Sequence, residues 1–180
     1  MFDYAAHGLN PPQVRPEIPG RPQTVAEVLD PVLARDPDRL ALAGRHGRYS
    51  YRELDREANR AAHALAELGV APGDRVAASL PNDTAIAAAF LACMRLGAIW
   101  VGVNRVLAPR EKAHILRDCG ASLLLASPEV HAELEREGPF AALRARATVD
   151  PGGARDDWSA RVAAQSDARI GAALDPWGPA

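Results

Sequence analysis

Arg105, Arg110, Lys112 and His114 cluster in the run NRVLAPREKAH, directly after the apolar stretch AIWVGV. Basic groups at a loop and the first turn of a helix, joined by that helix's free N–H donors, favour a bound anion. Arg105, Arg110 and Lys112 are therefore the candidate contacts for an anionic ligand. The plainer reading of the same cluster is an ordinary solvated basic face, since charge clusters commonly need no ligand.

Other reactive residue types read as structural. Cys93 lies within AAAFLACMRL, so apolar a setting that an inert buried thiol is expected there rather than a nucleophile. His63, in ANRAAHALAEL, has no partner one turn on and reads as a half-exposed helix residue. Glu53, Asp55 and Glu57 alternate with Arg52, Arg56 and Arg60, spacing that suits ion pairs one turn apart along a helix rather than a paired-carboxylate acid and base. Trp100 reads as a core plug at a strand end. In LPNDT neither a glycine nor a lysine is present, so the loop lacks what G-x-G-x-x-G or G-x-x-x-x-G-K-[ST] offers a phosphate.

The elements that position these residues follow from period and punctuation. Residues 8 to 22 carry five prolines and two glycines with no apolar period, and read as an extended N-terminal arm over 1–22. Thr24 and Glu27 have capping-box spacing and open TVAEVLDPVLARD, which Pro31 should kink or shorten. LALAG and YSY flank Arg45–Arg48 as a hairpin. Ser50 and Glu53 repeat the capping-box spacing before YRELDREANRAAHALAEL, where Leu54, Ala58, Ala61, Ala62, Leu65 and Leu68 recur at helical spacing and Gly69 supplies the cap.

Strand and helix then alternate: RVAASL and TAIAAAFLACMRL, AIWVGV and PREKAHILRDC, SLLLAS and PEVHAELERE. Gly97 and Gly120 punctuate the helix ends, and Asn82 or Asp83 caps the helix after RVAASL. The pattern predicts an α/β chain, a parallel sheet flanked by helices, over 23–150. ATVD is a further candidate strand and DDWSARVAAQ a candidate amphipathic helix in a connecting segment, 151–180.

Composition bounds the function. The chain has 180 residues, 48% hydrophobic and 24% charged, with few aromatics, so alanine and aliphatic residues must build a closely packed core. A formal net charge of −2 gives no general field for nucleic acid or anionic membrane. Two cysteines without ligand spacing signal neither zinc nor a disulfide framework, which fits a reducing cytoplasm. No apolar run reaches the roughly 20 residues that span a bilayer, and MFDYAAHGLNPP lacks the order of a signal peptide.

The run from YSYRELDREANRAAHALAELGVAPGDRVAASLPND through FLACMRLGAIWVGVNRVLAPREKAHILRDCGASLLLAS resembles the beginning of the adenylate-forming superfamily, which includes acyl-CoA synthetases, peptide-synthetase adenylation domains and luciferases. The shared marks are Y-x-E-L opening a helix, G-V-x-x-G-D-R-V, L-P-N, L-x-x-x-R-L-G-A, V-x-x-N-x-x-L and a helix ending before G-A-S-L-L-L. The resemblance covers residues 24 to 127 well, and 128 to 180 only through LDPWGPA.

The resemblance implies the first part of the large N-terminal domain of an acid–CoA ligase, using ATP, Mg2+ and CoA on a small carboxylic acid. It further implies a Ser/Thr/Gly-rich loop ending in lysine, an aromatic-x-Thr-Glu motif, a ribose-binding aspartate and a C-terminal lysine, none of which this chain carries. In CoA-using relatives the loop after AIWVGV commonly reads Asn-Pro-Arg-Leu, its arginine meeting the nucleotide phosphate of CoA. Here Arg105 stands at the proline position and Val106 at the arginine position. The chain is thus expected to need the remainder of the enzyme as its partner, with no catalytic residue of its own. An adenylation domain that loads a carrier protein and a non-catalytic α/β interaction module are the alternatives.

Overall fold

A computed structural model describes residues 21 to 171 together with Ala6, Leu174 and Asp175. The proline-rich arm up to residue 20 and the end of LDPWGPA lie outside the described residues.

The chain enters through a single 3-10 turn, Val25–Glu27, and a short helix α1, Asp30–Arg35. The capping box expected at Thr24 does not form: Thr24 makes no side-chain cap, and Glu27 instead accepts from the backbone N–H of Gln23 at 2.8 Å. Pro31 in the first turn of α1 explains the split, because its ring excludes a preceding helical turn. The hairpin is present as β1, Leu40–Ala43, antiparallel to β2, Arg48–Ser50.

Helix α2, Tyr51–Glu67, opens on the expected capping box. Ser50 Oγ accepts from Glu53 N at 3.3 Å and the Glu53 carboxylate accepts from Ser50 N at 2.7 Å. The alternating units follow as β3 (Arg75–Ser79), α3 (Thr84–Leu96), β4 (Ile99–Gly102), α4 (Pro109–Asp118), β5 (Leu123–Ala126), α5 (Pro128–Glu135), β6 (Ala145–Thr148) and α6 (Asp157–Ala163). Gly97, at φ 69°, takes the left-handed position that ends α3.

Strands β4, β3, β5 and β6 lie in that order, all parallel, with Val76 level with both Trp100 and Leu123 and Leu124 level with Arg146. Side chains alternate between the faces with period two. Val76, Ala78, Leu123, Leu125 and Ala147 meet α2, α3 and α6 on one face, where Trp158 and Val162 of α6 join the core. Ala77, Leu124 and Ala126 meet α4 and α5 on the other. The α2–α3 contact is made largely by alanines, among them Ala58, Ala62, Ala89 and Ala92 with no exposed surface, so the two backbones approach closely. A third, smaller cluster seats Leu29 and the hairpin on Leu54, Ala58, Ala88 and Leu91.

Candidate functional site

In a parallel sheet with helices on both faces, ligands favour the loops at the carboxyl ends of the strands. Four such loops carry polar groups here. After β3 comes Leu80–Asp83, after β4 Val103–Ala108, after β5 the single residue Ser127, and after β6 Val149–Asp156.

The β4–α4 loop holds the basic cluster. Asn104 Oδ1 accepts from Val106 N at 3.1 Å, a local turn that leaves Arg105 exposed and Val106 87% exposed. Pro109 starts α4 with its fixed φ, and Glu111 reaches back to accept from Ala108 N at 2.7 Å. Ala108 offers no side-chain acceptor, so the cap is one-sided, and a carboxylate already sits on one N–H donor, that of Ala108. Arg110 and His114, one turn apart, flank an open groove with Leu107 and Ile115. This arrangement suits a surface contact with an anion rather than catalysis.

Lys112 departs from the cluster. It is the only lysine in the chain, is 2% exposed, and donates to Glu133 at 2.6 Å, tying α4 to α5. Positions 110 and 114 share one helix face, and position 112 lies across the helix from them, which is why the cluster in sequence divides in space. The loop therefore presents Arg105, Arg110 and His114 outward and withdraws Lys112.

The β3–α3 loop holds a pair that spacing in the sequence does not single out. Asp83 caps α3 by accepting from Thr84 N at 2.7 Å, and its other oxygen meets His46 Nδ1 of the hairpin at 2.5 Å. The Asp83 side chain is 6% exposed. Burial pushes its pKa up, but the bonds from Thr84 N and His46 more than reverse this, and the carboxyl is held below its ordinary value. Gly44 is required beside it, because a Cβ there would overlap Asp83 Oδ1. The signals available in sequence are a capping residue after a strand and a His-Gly hairpin tip; nothing in either pattern says that the two meet.

Behind this pair lies a cavity of about 90 Å³ lined by His46, Tyr49, Glu57, Thr84 and Trp158, among others. Burial raises the pKa of both Glu57 and Tyr49 there. Cys93 is fully buried and burial pushes its thiol far up, as an inert core cysteine requires. Among the described residues no group of three His, Cys, Asp or Glu side chains is placed to hold a metal ion, and no helix is long and apolar enough to cross a membrane.

The residues present do not fit the phosphates of ATP. No loop at the strand ends combines glycine backbone donors with a lysine, and the N-terminus of α3 is occupied by the Asp83 carboxylate.

Residues 29–177 match the profile of the family described as AMP-binding enzyme. The chain belongs to that family. Relatives include the salicyl-AMP ligase / salicyl-S-ArCP synthetase of Mycobacterium tuberculosis, 49% identical over 82 residues, which are 43% of this chain and 14% of that protein. Feruloyl-CoA synthase of an Amycolatopsis species is 45% identical over 95 residues, 52% of this chain and 19% of that one. The fold is shared with the anthranilate CoA ligase AuaEII, solved with anthranoyl-AMP. The TM-score is 0.74 at 27% identity, over 81% of this chain and 28% of the ligase. The parallel sheet and its helices are thus those of the N-terminal domain of adenylate-forming enzymes, and the matched segments are under a third of each of these relatives.

Proposed function

We infer that the chain is the N-terminal portion of an ATP-dependent, AMP-forming acid–CoA ligase that converts a small carboxylic acid to its acyl-CoA. The observation that carries this reading is the family match over 29–177. The identity with feruloyl-CoA synthase favours CoA as the acceptor. Carboxylate activation by Mg-ATP is assigned to the remainder of the enzyme, since the phosphates of ATP find no site among the described residues. The role of this portion is to supply a rigid sheet whose β4–α4 loop presents Arg105 and Arg110 to the phosphates of CoA. Lys112 acts through structure, holding α4 on α5. A second reading, an adenylation domain that loads a carrier protein, is favoured by the identity with salicyl-AMP ligase / salicyl-S-ArCP synthetase.

The test begins with the natural coding sequence past Ala180, which is expected to continue into a Ser/Thr/Gly-rich turn with a lysine. The chain 1–180 alone should give no ATP–pyrophosphate exchange, and the protein carrying that continuation should exchange and form an acyl-CoA thioester. Exchange by 1–180 itself, or a continuation with no such loop, would sink the ligase reading. Thioester formation on a carrier protein but not on CoA would replace it by the second reading.

In the extended enzyme Arg105→Glu and Arg110→Glu should raise KM for CoA on the order of tenfold while leaving exchange within about twofold, because only the thiol-transfer half uses that anion. Equal losses in both half-reactions would mean damaged folding and refute the contact.

A further inference from the structure

Residues 165–171 run back along α2 toward α1, and polar contacts hold them at almost every step. Gln165 donates to Glu67 at 2.7 Å, His63 Nε2 meets the carbonyl of Ala168 at 3.0 Å, and Asn59 donates to the carbonyl of Asp167 at 2.9 Å. The Asp167 carboxylate faces Arg60 at 3.6 Å and Arg56 at 3.8 Å. Arg169 spans both oxygens of Asp30 at 2.9 Å each and reaches the carbonyl of Ala26.

Burial contributes little to the middle of this run: Ser166, Asp167, Ala168 and Arg169 are all exposed. Its far end, with Arg169, Ile170, Gly171 and Leu174, borders a cavity of about 400 Å³ whose other wall includes Arg95 and Ala26. Arg95 is 1% exposed; one end of its guanidinium is bound by Asp55 and Asn59, while Nε has no acceptor among the described residues. Asn59 is therefore a junction, accepting from buried Arg95 at 2.6 Å and donating to the exposed segment.

A segment held mainly by solvent-exposed ion pairs and a few backbone contacts, with Ile170 packed against the main core at its far end, belongs to the low end of local stability. We propose that residues 165–171 form a strap that opens as a unit off α2 while the α/β core stays folded, uncovering the cavity beside Arg95. Exposed pairs weaken with salt, so opening is favoured by ionic strength. This device is independent of which acceptor the enzyme uses.

Arg169–Ile170 is a tryptic bond whose arginine is engaged only while the strap is shut. Limited trypsinolysis of the chain 1–180, read by mass spectrometry, should show cutting at Arg169 speeding severalfold in Asp30→Asn, and on the order of tenfold in Asn59→Ala, the effect of losing the part-buried hydrogen bond from Asn59 to the strap. Raising salt from about 0.05 to about 0.5 M should speed wild-type cutting at Arg169 severalfold relative to exposed Arg136 and Arg155. Cutting at buried Arg95 reports global unfolding and should not change in Asp30→Asn, which keeps that variant decisive even if Asn59→Ala fails to fold. Cutting at Arg169 that is unmoved by Asp30→Asn and by salt, or that rises only in step with cutting at Arg95, would overturn the proposal.

Discussion

Asp83 uses both carboxylate oxygens structurally: Oδ1 closes the first turn of α3 and Oδ2 holds the hairpin through His46. Asn at this position keeps the cap but loses the charge on the bond to His46. Asp83→Asn is expected to cost about 1 kcal/mol at neutral pH, the scale of one charge-assisted bond with a partly exposed partner. The sign of the pH effect follows from the lowered carboxyl. A group depressed in the folded state stabilises it fully above the unfolded value, about 3.9, and loses that contribution as pH falls through the folded value. The gap between wild type and Asp83→Asn in urea midpoints should therefore be present at neutral pH and narrow at acid pH as the carboxyl becomes protonated. A gap of the same size at both would show that the charge is irrelevant.

At the scale of elements, period and caps made the fold legible. Ser50 with Glu53 placed the start of α2, Gly69, Gly97 and Gly120 the ends of α2, α3 and α4, and alternating strand and helix patterns the parallel sheet. ATVD and DDWSARVAAQ also proved to overlap a strand and a helix, β6 and α6. These features are local, written within a few residues of where they act. The misses are long-range. The charges of α2 read as pairs along the helix, yet Asp55 binds Arg95 of α3, Arg52 binds Asp38, and Arg56 and Arg60 turn to Asp167. The one ion pair left within that helix among the described residues is Arg60–Glu57 at 4.0 Å. Helical spacing states which residues share a face but not what lies opposite it. The same limit hid the His46–Asp83 pair and turned Lys112 inward, while the exposure of Arg105 and Arg110 followed from loop and first-turn positions alone.

Across the whole molecule, the sheet has two edges that are guarded differently. β6 carries Arg146, an exposed cation that discourages another strand from pairing there. β4, at the other edge, offers Ile99, Trp100 and Val101, each half-buried, and no charge; it has no partner on its outer side among the described residues. Phe90 covers part of Trp100 edge-on, with ring centroids 5.8 Å apart, but leaves the backbone of the strand open. An unguarded apolar edge is a template for pairing with a second strand. The chain 1–180 should therefore self-associate, its weight-average sedimentation coefficient rising with concentration over a dilution series. Ile99 belongs to none of the three core clusters, so Ile99→Lys places a charge on this edge at little cost to the interior. That variant should keep its circular dichroism and sediment as a monomer throughout. A wild-type coefficient that stays flat with concentration, or an Ile99→Lys variant that associates as strongly as the parent, would mean that the β4 edge is not where copies meet.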